Sequence, residues 1–190
     1  MQNILSRWQA SFFDLLQKYH GLGERERLLL RLAAILHDCG KFISMSAPGE
    51  CAYQIIMSTE ILGISHMERE MVASIVRYNT MELPNFNEFD GKLGNDEYLI
   101  VMKLAAILRV CNALDRSHRQ KFADMKLTIK DSNIVITTAY PDNITLEKRP
   151  YRISRVSLRK YTDLGLKLSR RKRNSEKIEK NRKAGWQDGF

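Results

Sequence analysis

Apolar residues recur at spacings of three and four along most of the chain as far as residue 118, a period that predicts α-helices. Two of these helices carry the same phrase, L-A-A-I-L-x-x-C, which begins at Leu32 and again at Leu104. Because paired alanines let two helices approach closely, we expect these two to lie together at the centre of a bundle. Ser65 and Glu68 have the spacing of a capping box, which marks the start of another helix. The predicted helices cover residues 3–19, 24–38, 50–63, 67–78 and 97–118.

The period changes to two after residue 124, where M-K-L-T-I-K-D-S-N-I-V-I-T-T alternates apolar and polar positions. This alternation predicts a β-hairpin that turns at residues 131–133, and I-T-L-E at 144–147 is expected to add a third strand. The predicted fold class is mainly α, a helical bundle followed by a small β-hairpin or sheet element, α+β overall. The expected organisation is a helical domain over 1–120, a truncated sheet-containing domain over 121–148 and a basic tail over 149–190.

The formal net charge of +9 is concentrated at one end of the chain. Residues 1–147 hold 16 Lys and Arg against 18 Asp and Glu, whereas residues 148–190 hold 15 against 4. The basicity therefore belongs to the tail and not to the folded body. The tail is expected to be disordered, and a native tail of this kind would hold an anionic polymer, polyphosphate or RNA, through salt-sensitive contacts.

The remaining composition favours a cytoplasmic protein. The chain has no apolar run long enough to span a membrane, and its first residues lack the layout of a signal peptide. Cys39, Cys51 and Cys111 form no C-x-x-C pair, so we expect reduced thiols rather than disulfides or a zinc site. No membrane partner is expected.

The stretch I-L-H-D-C-G-K-F contains an adjacent His-Asp pair, His37 and Asp38. Imidazole and carboxylate together suit a divalent cation, which would acidify a water for attack on a phosphoryl group. A working site needs further ligands, and the last helix offers Asp115, three residues after the neutral Asn112. The candidate metal ligands are therefore His37, Asp38 and Asp115, an incomplete set.

The alternative for the same pair is a structural role in capping and packing. This interpretation is favoured because the sequence does not supply the further ligands that a working metal site needs. The four histidines are His20, His37, His66 and His118. No catalytic residue is assigned, and a divalent metal is the one cofactor considered. Lys41 and Arg116 are the candidate anion-binding residues, although a loop lysine such as Lys41 is more often solvated.

Three long stretches resemble the C-terminal half of the Ppx/GppA family, the exopolyphosphatases and guanosine pentaphosphate phosphatases. They begin R-E-R-L-L-L-R-L-A-A-I-L-H-D-C-G-K-F, Y-Q-I-I-M-S-T-E-I-L-G-I-S-H-M-E-R-E and K-L-A-A-I-L-R-V-C-N-A-L-D-R-S-H, and the likeness covers residues 1–148. The resemblance implies an HD-like helical domain followed by a small sheet-containing domain. In this family the phosphatase chemistry lies in N-terminal actin-like lobes, which no part of this chain resembles.

The resemblance therefore implies an accessory role. Such a domain helps the parent enzyme to form a homodimer and shapes the groove along which polyphosphate lies. Polyphosphate or guanosine pentaphosphate would be the parent enzyme's substrate, and no nucleic acid partner is expected. Two alternatives stay open: a stand-alone metal-dependent HD phosphohydrolase that uses His37, Asp38 and Asp115, and a protein that binds polyphosphate or nucleic acid through its basic tail.

The resemblance stops at Lys148, where the family continues with an acidic amphipathic helix close to A-D-F-F-E-E-V-Y-G-x-R-P. Permitted codons for Ser157 to Lys167, read one base earlier, encode F-F-E-E-V-Y-G-F-R-P-K. We therefore hypothesise that a frameshift near codon 148 replaced the family's ending. Loss of the acidic helix would leave apolar residues of the sheet partly exposed, namely Leu127, Ile129, Ile134 and Ile136.

The coding DNA tests this hypothesis directly. We expect the alternative frame to encode the acidic helix over the codons of residues 157–167, because first and second codon bases leave little freedom. A sequenced gene in which that frame encodes anything else would exclude the frameshift.

Overall fold

In the computed structural model of the chain, the described residues are 4–89, 93–115, 126–138 and 156–170. The helices are α1 (Ile4–His20), α2 (Glu24–Leu36), α3 (Pro48–Ser58), α4 (His66–Thr80), α5 (Asn95–Asp115) and the helical segment α6 (residues 156–162), with 3-10 turns at Cys39–Phe42 and Phe86–Glu88. The strands are β1 (Lys126–Lys130), β2 (Asn133–Thr138) and β3 (Gly165–Arg170). The predicted fold class, mainly α with a small sheet element, is confirmed. None of the described helices is both long and apolar enough to cross a membrane.

Helix α5 forms the centre of the bundle and contacts α1, α2 and α4. Its side chains are buried from Val101 to Leu114, except for Lys103 and Asn112, which are partly exposed. A helix that is apolar on nearly all sides has no solvated face and must be enclosed by other helices.

The two cations in this part of α5 bind the ends of neighbouring helices. Lys103 Nζ donates to the carbonyl oxygen of His20, the last residue of α1, at 3.0 Å. Arg109 donates to the carbonyl oxygens of Tyr78 at 3.3 Å and Met81 at 2.6 Å, at the end of α4. The last carbonyls of a helix lack partners within the helix and carry partial negative charge, so these cations satisfy them. Burial lowers the pKa of Arg109.

The repeated L-A-A-I-L phrase lies in the core, as predicted. Helix α2 contacts α5, and the paired alanines of both phrases have no exposed surface: Ala33, Ala34, Ala105 and Ala106. Small side chains at these positions allow the two helix backbones to approach. The prediction that the two helices lie together is confirmed, but only α5 is central, because α2 keeps an exposed face with Leu28 and Ile35.

The predicted capping box of α4 is also confirmed. The Glu68 N–H donates to Ser65 Oγ at 3.2 Å, and the Ser65 N–H donates to the Glu68 carboxylate at 2.7 Å. Arg25, in the first turn of α2, donates to the same carboxylate at 2.5 and 2.8 Å and to the Gly63 carbonyl at 2.8 Å. The hydrogen bond from Arg25, and after it that from the Ser65 N–H, lowers the pKa of Glu68 to about 2. One carboxylate therefore joins the N-terminal ends of α2 and α4.

The predicted third helix, residues 50–63, is wrong at both ends. Helix α3 starts earlier because Pro48 occupies its first turn, where the missing N–H of proline has no helical partner to lose. It ends at Ser58 because Thr59 adopts an extended conformation. Gly63, with a φ of +88°, therefore lies in the turn before α4 and does not close α3.

The start of α3 lies against the turn that follows α2. A Cβ added to Gly40 would stand 1.9 Å from the Pro48 carbonyl oxygen and 2.6 Å from the Ala52 amide nitrogen. Only a residue without a side chain fits between these backbones. Gly40 therefore sets how closely the end of α2 and the start of α3 approach.

Strands β1 and β2 form the predicted hairpin, antiparallel and with Leu127 opposite Ile136. Asp131 and Ser132 make the turn with φ values of 47° and 54°, the left-handed conformation that two-residue hairpin loops require. Strand β3 runs parallel to β2 and completes the order β1-β2-β3. The strand predicted at 144–147 lies outside the described residues.

The prediction that the chain is disordered after residue 148 is wrong for residues 156–170, which form α6 and β3. Leu158, Leu164 and Leu166 of this segment are buried in the core. Their spacing suits one helical turn and one strand, a signal too short to stand out beside the many basic residues around it. The rest of the predicted tail lies outside the described residues, and the predicted domain boundaries stay predictions.

Residues 156–170 also change the expected exposure of the sheet's apolar residues. Ile134 and Ile136 of β2 have no exposed surface, because residues of α6 and β3 join the same core. Leu127 and Ile129 of β1 are partly buried. The expected exposure is therefore wrong for Ile134 and Ile136, whereas Leu127 and Ile129 are partly exposed, as expected.

Helix α6 also contacts the loop between α4 and α5. Lys160 Nζ donates to Asn85 Oδ1 at 3.1 Å. The same loop is held to α5 by Tyr98, whose hydroxyl donates to the Pro84 carbonyl at 2.9 Å and whose ring packs against Phe86 with centroids 5.3 Å apart. Burial raises the pKa of Tyr98 to about 12. The segment that follows the sheet is therefore attached to the bundle by polar contacts as well as by its leucines.

Replacing Gly40 with alanine is expected to lower the free energy of unfolding by about 3 kcal/mol, because backbone atoms of α3 must move to admit a Cβ. Urea denaturation of the variant and the parent chain measures the difference. Gly23→Ala is the control, since Gly23 has an ordinary φ of −103° and its Cβ would meet only the Glu26 carboxylate at 3.4 Å. It should cost about 1 kcal/mol or less. Equal losses in the two variants would contradict the role given to Gly40.

Candidate functional site: the His-Asp pair

The His-Asp pair lies just after α2 and not in its last turn, which corrects the predicted end of that helix. Helix α2 ends at Leu36, and His37 is its C-cap residue. The His37 side chain is 11 % exposed, and its Nδ1 lies 2.9 Å from the Ala34 carbonyl oxygen. Because a carbonyl oxygen can only accept, Nδ1 carries the proton and donates it. One ring nitrogen of His37 is thus used to cap α2.

The carboxylate of the pair is neutralised by a lysine. Asp38 Oδ1 lies 3.2 Å from His37 Nε2 and 2.6 Å from Lys41 Nζ. Lys41, predicted as an anion-binding or solvated residue, therefore contacts a carboxylate three positions earlier in the same turn. Its ammonium supplies beside Asp38 the positive charge that a divalent cation would supply in a metal site.

The donors that the structure describes do not fit a metal ion. Across residues 4–89, 93–115, 126–138 and 156–170, no three His, Cys, Asp or Glu side chains come together as a metal site would require. Asp115 is the last residue of α5, and its side chain is not among those described. Asn112, one turn earlier, is partly buried, and Arg116 lies outside the described residues. The structure therefore places His37 and Asp38 together but brings no described third ligand to them.

None of the other described histidines joins the pair. His20 is buried, with Nδ1 accepting from the Leu22 N–H at 2.9 Å and Nε2 donating to the Phe13 carbonyl at 3.0 Å. Burial lowers the pKa of His20, which suits this neutral, doubly bonded ring. His66 contacts Arg69 at 2.9 Å near the start of α4. His118 lies outside the described residues.

The cysteines also form no reactive group in the described structure. Cys39, Cys51 and Cys111 are free thiols, as predicted. Burial raises the pKa of the buried Cys111 and of the partly buried Cys39. Both thiols therefore stay protonated and are poor nucleophiles. Among the residues that the structure describes, the polar groups near His37 thus amount to the capping histidine and an Asp-Lys ion pair.

An apolar surface adjoins the pair, and sequence reasoning missed it. Four large apolar side chains between the last turn of α2 and the loop before α3 are exposed, Ile35 by 60 %, Phe42 by 93 %, Ile43 by 67 % and Met45 by 77 %. We call these four residues the α2–α3 apolar surface. The signal was present in the sequence, since K-F-I-S-M places three apolar residues in a segment predicted as a loop.

Comparison with known proteins identifies the family of the chain. The family model described as Ppx/GppA phosphatase, domain III, matches residues 4–154, which include all five helices of the bundle and the hairpin and end just before α6. A search of curated proteins finds no match to the chain. Since the matched residues make up most of its length, the chain belongs to the Ppx/GppA phosphatase family.

Proposed function

We propose that this chain is the accessory, HD-like portion of a Ppx/GppA enzyme and has no active site of its own. The parent enzyme hydrolyses phosphoanhydride bonds, and its catalytic lobes are separate from the residues of this chain. The observation that carries the proposal is the 2.6 Å contact between Lys41 Nζ and Asp38 Oδ1. It places an ammonium against one oxygen of the carboxylate on which a metal-dependent phosphohydrolase would depend.

The stand-alone hydrolase is disfavoured by the same contacts. A metal phosphohydrolase uses its cation to acidify a water and to bind the phosphoryl oxygens. His37 instead donates to the Ala34 carbonyl, and Asp38 is paired with Lys41. Both members of the pair therefore stabilise the turn between α2 and α3, and Gly40 in the same turn admits α3.

The α2–α3 apolar surface supports a role in forming a homodimer. Its four side chains, all within residues 35–45, together expose on the order of 500 Å² of apolar area. This is more than half of the roughly 800 Å² that each partner buries in a standard interface. The occupant that we propose is the same surface of a second copy, because two-fold symmetry brings identical patches together.

The remaining parts of the proposal follow the family. Polyphosphate or guanosine pentaphosphate is the substrate of the parent enzyme, and this portion helps to form the groove for polyphosphate. A cytoplasmic setting is supported by the three free cysteines, since reducing compartments keep thiols unpaired. We propose no membrane or nucleic acid partner.

The purified chain is expected to retain no stoichiometric metal and to hydrolyse neither polyphosphate nor guanosine pentaphosphate when Mg²⁺ or Mn²⁺ is supplied. Metal analysis and a phosphate-release assay measure both. Lys41→Met removes the ammonium from Asp38 and should still give no turnover, because among residues 4–89, 93–115, 126–138 and 156–170 no three metal-ligating side chains come together. Bound metal together with turnover that His37→Ala abolishes would overturn the proposal in favour of a stand-alone phosphohydrolase.

Phe42→Ser is expected to weaken dimerisation by at least about 100-fold, because each copy loses an apolar side chain whose burial contributes about 1.5–3 kcal/mol. Sedimentation velocity over a concentration series measures the dimer's Kd. Leu62→Ser is the matched control, since Leu62 is 95 % exposed but lies beyond the far end of α3. A parent chain that stays monomeric, or a dimer that both variants weaken equally, would contradict this interface.

A further inference from the structure

The outward face of the three-stranded sheet is polar and basic. The register of the strands places nine residues on it in three rows: Lys126, Thr137 and Ser169; Thr128, Val135 and Lys167; Lys130, Asn133 and Gly165. The opposite face carries Ile134, Ile136 and Leu166, which are buried in the core. We call the nine residues the basic sheet face.

Three lysines give this face its charge. Lys126, Lys130 and Lys167 are exposed, and none of them forms an ion pair within the described part of the chain. The acidic residues of the described ranges 126–138 and 156–170 are Asp131 and Asp163, which both lie in turns and not on the strands. Within residues 126–138 and 156–170, the face therefore presents positive charge that no acidic side chain of a strand neutralises.

The lysines are spread widely enough to hold an extended ligand. Lys126 and Lys130 are four residues apart on one strand, roughly 13 Å. Lys167 lies two strands away from them, roughly 10 Å across the sheet. The exposed hydroxyls of Thr128 and Ser169 add hydrogen-bond donors on the same face. Ammonium and hydroxyl groups are the side-chain donors that bind phosphate oxygens.

The face lacks the feature by which sheets bind single-stranded RNA. Such sheets stack bases on exposed aromatic side chains. The three rows of the basic sheet face contain no aromatic residue. Recognition by this surface therefore depends on charge and hydrogen bonding to phosphate, with no component for a base.

We propose that the basic sheet face binds inorganic polyphosphate, a linear phosphate polymer without bases, laid across β1, β2 and β3. The choice of this polymer rests on the proposed function, whereas the location rests on the strand register and on the three lysines. The interaction is ionic, so it weakens steeply as salt is raised.

The test compares two variants of the full chain that lose the same charge. Lys126→Gln with Lys167→Gln removes two lysines from the basic sheet face. Lys18→Gln with Arg31→Gln removes two exposed cations from α1 and α2 and leaves the tail unchanged. Each is titrated with polyphosphate of defined length at several salt concentrations. The sheet variant should lose affinity by roughly 10-fold at low salt, and its slope of log affinity against log salt should fall by about 1.5, because two ionic contacts are lost.

Two further measurements make the result decisive. Lys126→Arg with Lys167→Arg keeps the charge and should bind as the parent chain does, which separates loss of charge from damage to the sheet. An oligouridylate of similar charge should bind more weakly than polyphosphate and should depend less on these lysines. RNA binding that equals polyphosphate binding and falls equally in the sheet variant would overturn the assignment to polyphosphate.

Equal loss of affinity in the sheet variant and the control would also overturn the proposal, since total charge or the tail would then carry the binding. Failure here is distinguishable from failure of the proposed function. A chain that binds polyphosphate no better than its sheet variant, yet retains no metal and shows no turnover, would refute the basic sheet face alone. Metal-dependent turnover would refute the proposed function whatever the binding data show.

Discussion

From Val101 to Leu114 helix α5 has no solvated face, and the arrangement of the other helices follows from the need to enclose this part of it. Burying its large aliphatic side chains contributes about 1.5–3 kcal/mol each, but the two cations among them would be costly without partners. Lys103 and Arg109 find those partners in the last carbonyls of α1 and α4. The same contacts therefore satisfy the cations of α5 and fix where two neighbouring helices end against it.

In the turn after α2, the polar side chains also have partners close by. His37 satisfies a carbonyl of α2, Asp38 is paired with Lys41, and Gly40 admits the backbone of α3. These four residues therefore all act at the junction between α2 and α3. A phrase that in a metal enzyme holds a cation is here explained by the packing of α2 against α3.

The sequence predicted the helices and the hairpin well because their apolar periods are long and are broken by clear turn residues. It misplaced α3 because Gly63 resembles a helix-ending glycine, whereas the extended conformation of Thr59 depends on packing that the pattern does not contain. The His-Asp pair was found by its adjacency, but its partner Lys41 was not identified as such. A salt bridge across three positions is a local contact that depends on the exact course of the turn. The fold of residues 156–170 was missed because charge outweighed a short apolar pattern.

The folding of residues 156–170 is compatible with the frameshift hypothesis, because both reading frames encode apolar residues at two of the buried positions. Under the hypothesis, the shifted reading places phenylalanine at positions 158 and 164, where this chain has the buried leucines Leu158 and Leu164. At positions 159 and 160 it places glutamate, where this chain has Arg159 and Lys160, both exposed. The two readings therefore share an apolar residue at position 158 in α6 and at position 164 after it, and they differ in the sign of the charge at positions 159 and 160. Position 167 is lysine in both readings, but position 166 changes from the buried Leu166 to proline, which cannot donate to a strand ladder, so the basic sheet face described above belongs to the present reading.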